Sequence, residues 1–278
     1  MNILFEKINM LRERIRKLDD ALVAFSGGVD SSLVLKICYD ELKNKTIAVT
    51  AVSPSVSNFE LENAKSIAEW VGVKHIIVKS SETDDANYLK NDSQRCYFCK
   101  SNLYKKLLEV REQFNFRNIV NGINHDDIYD YRPGIKAAQE YQVVSPLKDV
   151  NLGKKDIVEI ANFLGLPNWN KPASPCLSSR VPYGIAITPD ILEKIEKAEN
   201  VLRQLGFNQF RVRYYKETAQ IEVEKYEFAK VIENASIISQ QIKSVGFRYV
   251  VLDLAGFKSG NLNTGILDEQ KILQRPRV

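Results

Sequence analysis

No run of apolar residues in this sequence is long enough to span a bilayer, which takes about 20, and residues 1–17 carry charges throughout where a signal peptide would have an apolar centre. The expectation is a cytoplasmic protein. Cysteine is scarce: four thiols in 278 residues do not make a disulfide framework, and without secretion signals they are expected to be reduced or to act as ligands. Neither sign of charge dominates. With 39 Lys and Arg against 35 Asp and Glu the net charge is +4; the two signs are interleaved, so charge makes no case for a nucleic-acid partner or a membrane surface, and a small anionic substrate suffices. Internal repeats are absent. A chain of this length can bury a large core and is expected to form two domains.

What is present is an alternation. Apolar, β-branched runs at Ala21–Phe25, Thr46–Val52, Lys74–Lys79, Asn118–Asn121 and Gln142–Ser145 are separated by helical patterns near Ser32–Leu42, Phe59–Val71, Lys100–Arg111 and Ile135–Glu140. Strand and helix in turn predict an α/β fold, a parallel sheet with helices on both faces, whose ligands sit at the carboxyl ends of the strands. A helix near Lys154–Leu164 precedes an irregular stretch, Gly165–Gly184, rich in Pro and Ser. Beyond it the pattern reads helix (Pro189–Leu205), strands (Phe210–Tyr215, Gln220–Val223), helix (Glu227–Ser244) and strand (Phe247–Leu252), a smaller C-terminal α/β domain. The expected boundaries are 1–185, 186–255 for a substrate or oligomerisation domain, and 256–278 as a tail or oligomer arm.

At the end of the first apolar run stands Ala24-Phe-Ser-Gly-Gly-Val-Asp-Ser-Ser32. Gly27 and Gly28 allow the backbone to approach an anion closely, while Ser26, Ser31 and Ser32 place hydroxyls beside the uncapped N–H groups of a helix start. A Walker loop would need a Lys before its Ser or Thr, and a dinucleotide fingerprint would need G-x-G-x-x-G; neither occurs here. A turn that only caps a helix is the bland alternative. The run Ser-Gly-Gly-Val-Asp-Ser resembles the PP-loop of the ATP pyrophosphatases, which cut ATP between its α and β phosphates; the resemblance implies that Asp30 helps hold Mg²⁺. Farther on, Asp126 and Asp127 follow a strand and Gly122; paired carboxylates suit a hard cation or a ribose, and equally a helix cap.

Cys96 and Cys99 form a CxxC that can reach one metal, and Cys176 lies in Pro172-Ala-Ser-Pro-Cys-Leu-Ser-Ser-Arg-Val-Pro-Tyr-Gly184. A lone CxxC also serves redox dithiols and half of a zinc site. Zinc would need a fourth ligand from His75, His125 or Cys38, of which Cys38 reads as a small buried hydrophobe. Three cysteines on a [4Fe–4S] cluster would leave one iron open to a small anion such as hydrosulfide. Arg211 and Arg213 alternate on an expected strand, face one side, and suit a phosphate clamp or a half-exposed surface. Arg180, near Cys176, can hold a carboxylate or phosphate. Tyr97, Phe98, Trp169 and Tyr183 can wall a thiol pocket, although packing is the ordinary role of such residues.

Taken in order, the PP-loop, Asn121-Gly-Ile-Asn-His-Asp-Asp127, Asp130-Tyr-Arg-Pro-Gly134, Ser145-Pro-Leu147, Lys171-Pro-Ala-Ser-Pro-Cys-Leu177 and Ser179-Arg180 resemble the LarE family of ATP-dependent sulfur transferases, which build the nickel-pincer nucleotide cofactor of lactate racemase. The resemblance implies ATP and Mg²⁺ at Ala24, Ser26, Gly27, Gly28, Asp30, Ser31, Ser32, Gly122, Asp126 and Asp127. It implies adenylation of a carboxylate of pyridinium-3,5-biscarboxylic acid mononucleotide and its conversion to a thiocarboxylate, with Cys176 and Asp30 as catalytic residues and Arg180, Arg211 and Arg213 on the substrate. One branch sacrifices a single cysteine, at the position of Cys176. The presence of Cys96 and Cys99 resembles the other branch, in which three cysteines carry a [4Fe–4S] cluster that receives sulfur from a donor or sulfide. A homo-oligomer, a hexamer in the family, is implied as well. A tRNA thiolase is the main alternative, though nothing resembles an RNA-binding module; an amide-forming ligase would not need three thiols.

Overall fold

The structure, a computed structural model, describes residues 2–129 and 133–258. Asp130, Tyr131 and Arg132 of the expected Asp130–Gly134 motif, and most of the expected tail, lie outside the described residues. The chain divides into two compact units: residues 1–88 with 94–174, and residues 89–93 with 175–278.

In the first unit, helix α1 (Asn2–Arg16) leads into strand β1 (Ala21–Ala24), helix α2 (Val29–Leu42), strand β2 (Thr46–Val52), helix α3 (Asn58–Val71) and strand β3 (Lys74–Lys79). The short helix α4 (Ala86–Leu89) follows, then α5 (Arg95–Gln113), strand β4 (Ile119–Val120), α6 (Pro133–Glu140), the single turn α7 (Pro146–Asp149) and α8 (Lys154–Phe163). The four strands lie in the order β3-β2-β1-β4, all parallel. The expected strand Gln142–Ser145 is reduced to one parallel bridge, Val144 to Val120, with Asn121 N–H donating to Val144 O and Val144 N–H to Ile119 O. Pro146 follows at once and starts α7, so this edge cannot extend.

Alternation along the strands sends side chains to two cores, as a sheet covered on both faces requires. Ala21, Val23 and Ala48 pack with Leu11, Ile15, Leu33, Ile67 and Ile157, and so with α1, α2, α3 and α8. Leu22, Ile47, Val49 and Ile119 pack instead with Tyr104, Leu107 and Ala137, on α5 and α6. Helix α1 goes beyond the expected elements, yet Ile8, Leu11 and Ile15 recur at helical spacing and are buried. Helix α3 has the full set of end signals: the Ser57 hydroxyl accepts from Glu60 N–H, and Gly72 closes it at φ +79°.

The second unit holds α9 (Pro189–Gln204), capped by Thr188 with Pro189 in its first turn, then β5 (Phe210–Tyr215), β6 (Thr218–Val223), α10 (Phe228–Glu233), α11 (Ala235–Ser244) and β7 (Tyr249–Leu252). The expected single helix over 227–244 breaks at Asn234, whose side-chain amide donates to Lys230 O. The sheet order is β5-β6-β7; β5 pairs antiparallel with β6, and β6 parallel with β7. Val212, Ile221 and Val223 pack against Ala198, Leu202, Ile238 and Ile242. Residues 89–93 belong to this unit through buried Asn91, whose side-chain amide donates to Val181 O, Pro182 O and Ile185 O. Among the described residues no helix is long and apolar enough to cross a membrane.

Candidate functional site

The phosphate-loop sequence joins the carboxyl end of β1 to the first turn of α2, the place where a parallel sheet presents ligands. Gly27 has φ +73°, and a Cβ there would lie 2.9 Å from the Ala64 Cα on α3; both conformation and space demand glycine. Gly28 is the N-cap and offers no side chain to cap the helix, which leaves the first N–H groups of α2 available to a ligand. The loop is tied internally. Ser31 Oγ donates to Gly28 O at 3.0 Å and stands 3.1 Å from Ser26 Oγ, which accepts from Gly28 N–H at 3.4 Å. Buried Asn168 donates from one amide nitrogen to Gly27 O and to Ser32 Oγ, each at 2.9 Å. Its own Oδ1 is buried and accepts nothing among the described residues.

Gly122 stands against this turn, since a Cβ on it would meet Ser31 N at 2.7 Å. Asp30, in the first turn of α2, accepts from Lys154 Nζ at 2.6 Å. Asp126 accepts from Lys154 N–H at 2.7 Å, at the start of α8. Asp127 is buried and accepts from Asn124 N–H, while Asn124 Oδ1 accepts from the N–H groups of Asp126 and Asp127. The Asp pair is therefore built into local turns, with Asp126 the exposed member. At the carboxyl ends of β2 and β3, buried Glu82 accepts from the hydroxyls of Ser53, Ser55 and Ser80 and fixes the segment before α3. Half-buried His75 packs edge-on to Phe25, with Nε2 2.8 Å from Thr50 Oγ1; burial and nearby Lys65 lower its pKa.

Cys96 and Cys99 lie near the start of α5, three residues apart and so on one helix face. Cys96 is exposed and Cys99 partly so. Cys38 is fully buried, and burial pushes its thiol pKa far up, which leaves it a packing residue. Tyr97 packs with the α5–α6 core and Trp169 against the opposite one.

In the second unit, Cys176 is exposed and immediately precedes the 3₁₀ turn Leu177–Arg180. Arg180 is 2 % exposed. Its Nε and Nη2 donate to Glu199 at 2.8 and 3.0 Å, while Nη1 donates to Pro175 O, Cys176 O and Ser179 Oγ. Arg213 makes the same fork on Glu222, at 3.0 and 2.9 Å, and donates to Ser179 O. Arg211 donates to Phe210 O and lies over the Phe257 ring; burial and neighbouring Arg180 lower its pKa to about 10. Three guanidiniums thus face two carboxylates, a buried cluster with one excess positive charge, held against the backbone that carries Cys176.

The donor chemistry of Cys96, Cys99 and Cys176, three accessible thiols in no disulfide, fits iron–sulfur ligation. Among the described residues, no group of three or more His, Cys, Asp or Glu side chains is gathered for a metal. Lys154, Asn168, Glu82, Glu199 and Glu222 carry no local motif in the sequence. Their signals are long-range pairings, which appear only with the fold.

The asparagine synthase family matches residues 10–93, a stretch that includes the phosphate loop. An uncharacterised protein of Synechocystis sp. is 44 % identical over 94 % of this chain and 98 % of its own length. A second uncharacterised protein, from Methanocaldococcus jannaschii, is 33 % identical over 90 % of this chain and 95 % of its own. The pyridinium-3,5-bisthiocarboxylic acid mononucleotide synthase of Lactiplantibacillus plantarum is 36 % identical over 92 % of this chain and 93 % of its own length. With the loop and the ordered motifs in place along nearly the whole chain, the protein belongs to the LarE family of PP-loop, ATP-dependent sulfurtransferases.

Proposed function

We propose that this protein activates a carboxylate of pyridinium-3,5-biscarboxylic acid mononucleotide with ATP and converts it to a thiocarboxylate. A carboxylate oxygen attacks the α-phosphorus and pyrophosphate leaves; a sulfur nucleophile then attacks the acyl adenylate carbon and AMP leaves. The loop from Ala24 to Ser32 binds the pyrophosphate portion, with Asp30 presenting a carboxylate to Mg²⁺ and Asp126, which accepts from the backbone of the lysine paired with Asp30, as a second carboxylate for the nucleotide site. Arg211, with Arg180 and Arg213 anchored on their glutamates, receives the substrate's phosphate. A cytoplasmic location and a homo-oligomer accompany this reading.

Cys96, Cys99 and Cys176 are the residues that would hold a [4Fe–4S] cluster, which when bound supplies an open iron for hydrosulfide, delivered by an external sulfur donor. The observation that carries the whole reading is a phosphate loop with free helix amides in a chain that also exposes Cys176 beside buried arginines. The test is anaerobic reconstitution with iron and sulfide of wild type, Cys96→Ala, Cys99→Ala and Cys176→Ala. A broad absorption near ~400 nm with about four irons, lost in each variant, supports the cluster. No iron uptake, with Cys176 losing the mass of its sulfur on turnover, makes Cys176 a sacrificial donor instead.

A further inference from the structure

An anion site made of backbone depends on which way each peptide faces: an N–H turned toward a phosphate attracts it, and a carbonyl in the same place repels it. Gly27 is the residue at which this loop can turn over, because glycine adopts φ of either sign. Its peptide to Gly28 is trans, so the Gly27 carbonyl and the Gly28 N–H point in opposite directions. Whatever holds the carbonyl aims the N–H.

Asn168 holds it. From a residue 8 % exposed, one amide nitrogen donates to Gly27 O and to Ser32 Oγ, each at 2.9 Å, and so brackets the loop between its turn and the start of α2 with both of its protons. Gly28 N–H, on the far side of that peptide, makes a long 3.4 Å bond to Ser26 Oγ, which a phosphate oxygen can displace. The amide's orientation is fixed by chemistry. Gly27 O only accepts, so the Asn168 nitrogen faces the loop and Oδ1 faces away, where it is buried and accepts nothing among the described residues. Packing alone would be better served by an apolar side chain of the same shape; the donor toward Gly27 is what the asparagine adds. The residue is also firmly seated: Trp169 packs against the core, Lys171 N–H donates to Asn168 O at 3.0 Å, and Lys171 Nζ donates to Glu60, in the first turn of α3, at 2.6 Å.

We propose that Asn168 is a positioning residue for ATP: it holds the Gly27–Gly28 peptide with its N–H toward the phosphates and its carbonyl away from them, without touching the nucleotide itself. This rests on the reading of the loop as an ATP site. With the amide removed, Gly27 O loses its donor, the peptide is free to turn over, and a carbonyl enters the place of an N–H. Binding of the pyrophosphate portion then weakens although no group that touches it has been deleted.

The test is calorimetric titration of the full chain, with Mg²⁺, by α,β-methylene-ATP, which cannot be cut at the scissile bond, and by AMP, which lacks the pyrophosphate portion. The proteins are wild type, Asn168→Leu and Asn168→Ala. Asn168→Leu fills the site without a donor and should bind α,β-methylene-ATP about tenfold or more weakly than wild type, at unchanged stoichiometry. Asn168→Ala leaves room for a water to donate to Gly27 O and should fall between the two. A packing role would reverse that order, since truncation to Ala leaves the larger void. AMP should bind all three proteins alike. The reversed order, a fall in stoichiometry at unchanged affinity, an equal loss for AMP, or wild-type affinity in Asn168→Leu would each overturn the proposal and leave the ATP reading standing. Wild type that does not bind α,β-methylene-ATP would overturn the ATP assignment of the loop and this proposal with it.

Discussion

The two units present their hydrogen-bond donors by opposite means. The first uses glycines, hydroxyls and the open end of α2, with a single carboxylate answered by a half-exposed lysine. The second uses guanidiniums: Arg180 and Arg213 are almost wholly buried on Glu199 and Glu222. Backbone donors cost nothing to orient and survive exchange of one nucleotide for another, which suits a site that must release its pyrophosphate. Buried charges held by forked salt bridges form a rigid site whose geometry is set before any ligand arrives.

The largest effect in this comparison should come from the first unit. If Asp30 serves the metal as proposed, Asp30→Asn should lower ATP-dependent product formation by about 10³-fold, a loss of several kcal/mol in transition-state stabilisation. Iron uptake on reconstitution should be unchanged; unaltered turnover would remove Asp30 from the mechanism. Next in size is Glu199→Gln, which leaves Arg180 buried against a neutral partner and should cost about 3–5 kcal/mol of stability in urea unfolding. Lys154→Met, at the exposed pair, should cost less than ~1 kcal/mol in the same assay. Equal losses would erase the distinction between a rigid and an exchangeable charge site.

Gly27→Ala forces a side chain into a left-handed conformation and against α3. It should destabilise by about 1–3 kcal/mol and abolish binding of nucleotide as read by calorimetry. A gain rather than a loss is expected from inorganic phosphate. At a concentration a hundredfold above its dissociation constant it should add about 2.7 kcal/mol to the stability of wild type. Arg211→Ala should lose most of that gain; retention of it would place the phosphate elsewhere.

Much of the molecule is legible in its sequence because it is local. The run from Ala24 to Ser32 contains the glycines, hydroxyls and carboxylate of its own turn, and the strand–loop–helix order around it is written in apolar periodicity. The parallel sheet is readable for the same reason, except at Gln142–Ser145, where a β-compatible sequence meets Pro146 and only Val144 pairs. Helix α1 is harder to read: Ile8, Leu11 and Ile15 mark its buried face, but the charges spread between them dilute the apolar signal. The long-range partners are illegible in principle. Asn168 on the loop carbonyl, Lys154 on Asp30 and Glu199 on Arg180 are ordinary polar residues until the fold brings them together. Arg180 is the clearest case: near Cys176 in sequence it reads as a substrate ligand, and only the fold adds that its guanidinium also holds Glu199 and the carbonyls of Pro175 and Cys176.

The five residues 89–93 have a consequence for how this protein can be taken apart. Because Asn91 supplies amide protons to the carbonyls of Val181, Pro182 and Ile185, the chain passes between its units at 88/89, at 93/94 and at 174/175. A fragment beginning at Pro175 would leave those carbonyls without their donor, and one ending at Ser174 would carry a piece of the other unit's interior. The two units are thus not exchangeable cassettes: neither can be cut out, fused or shuffled at a single junction.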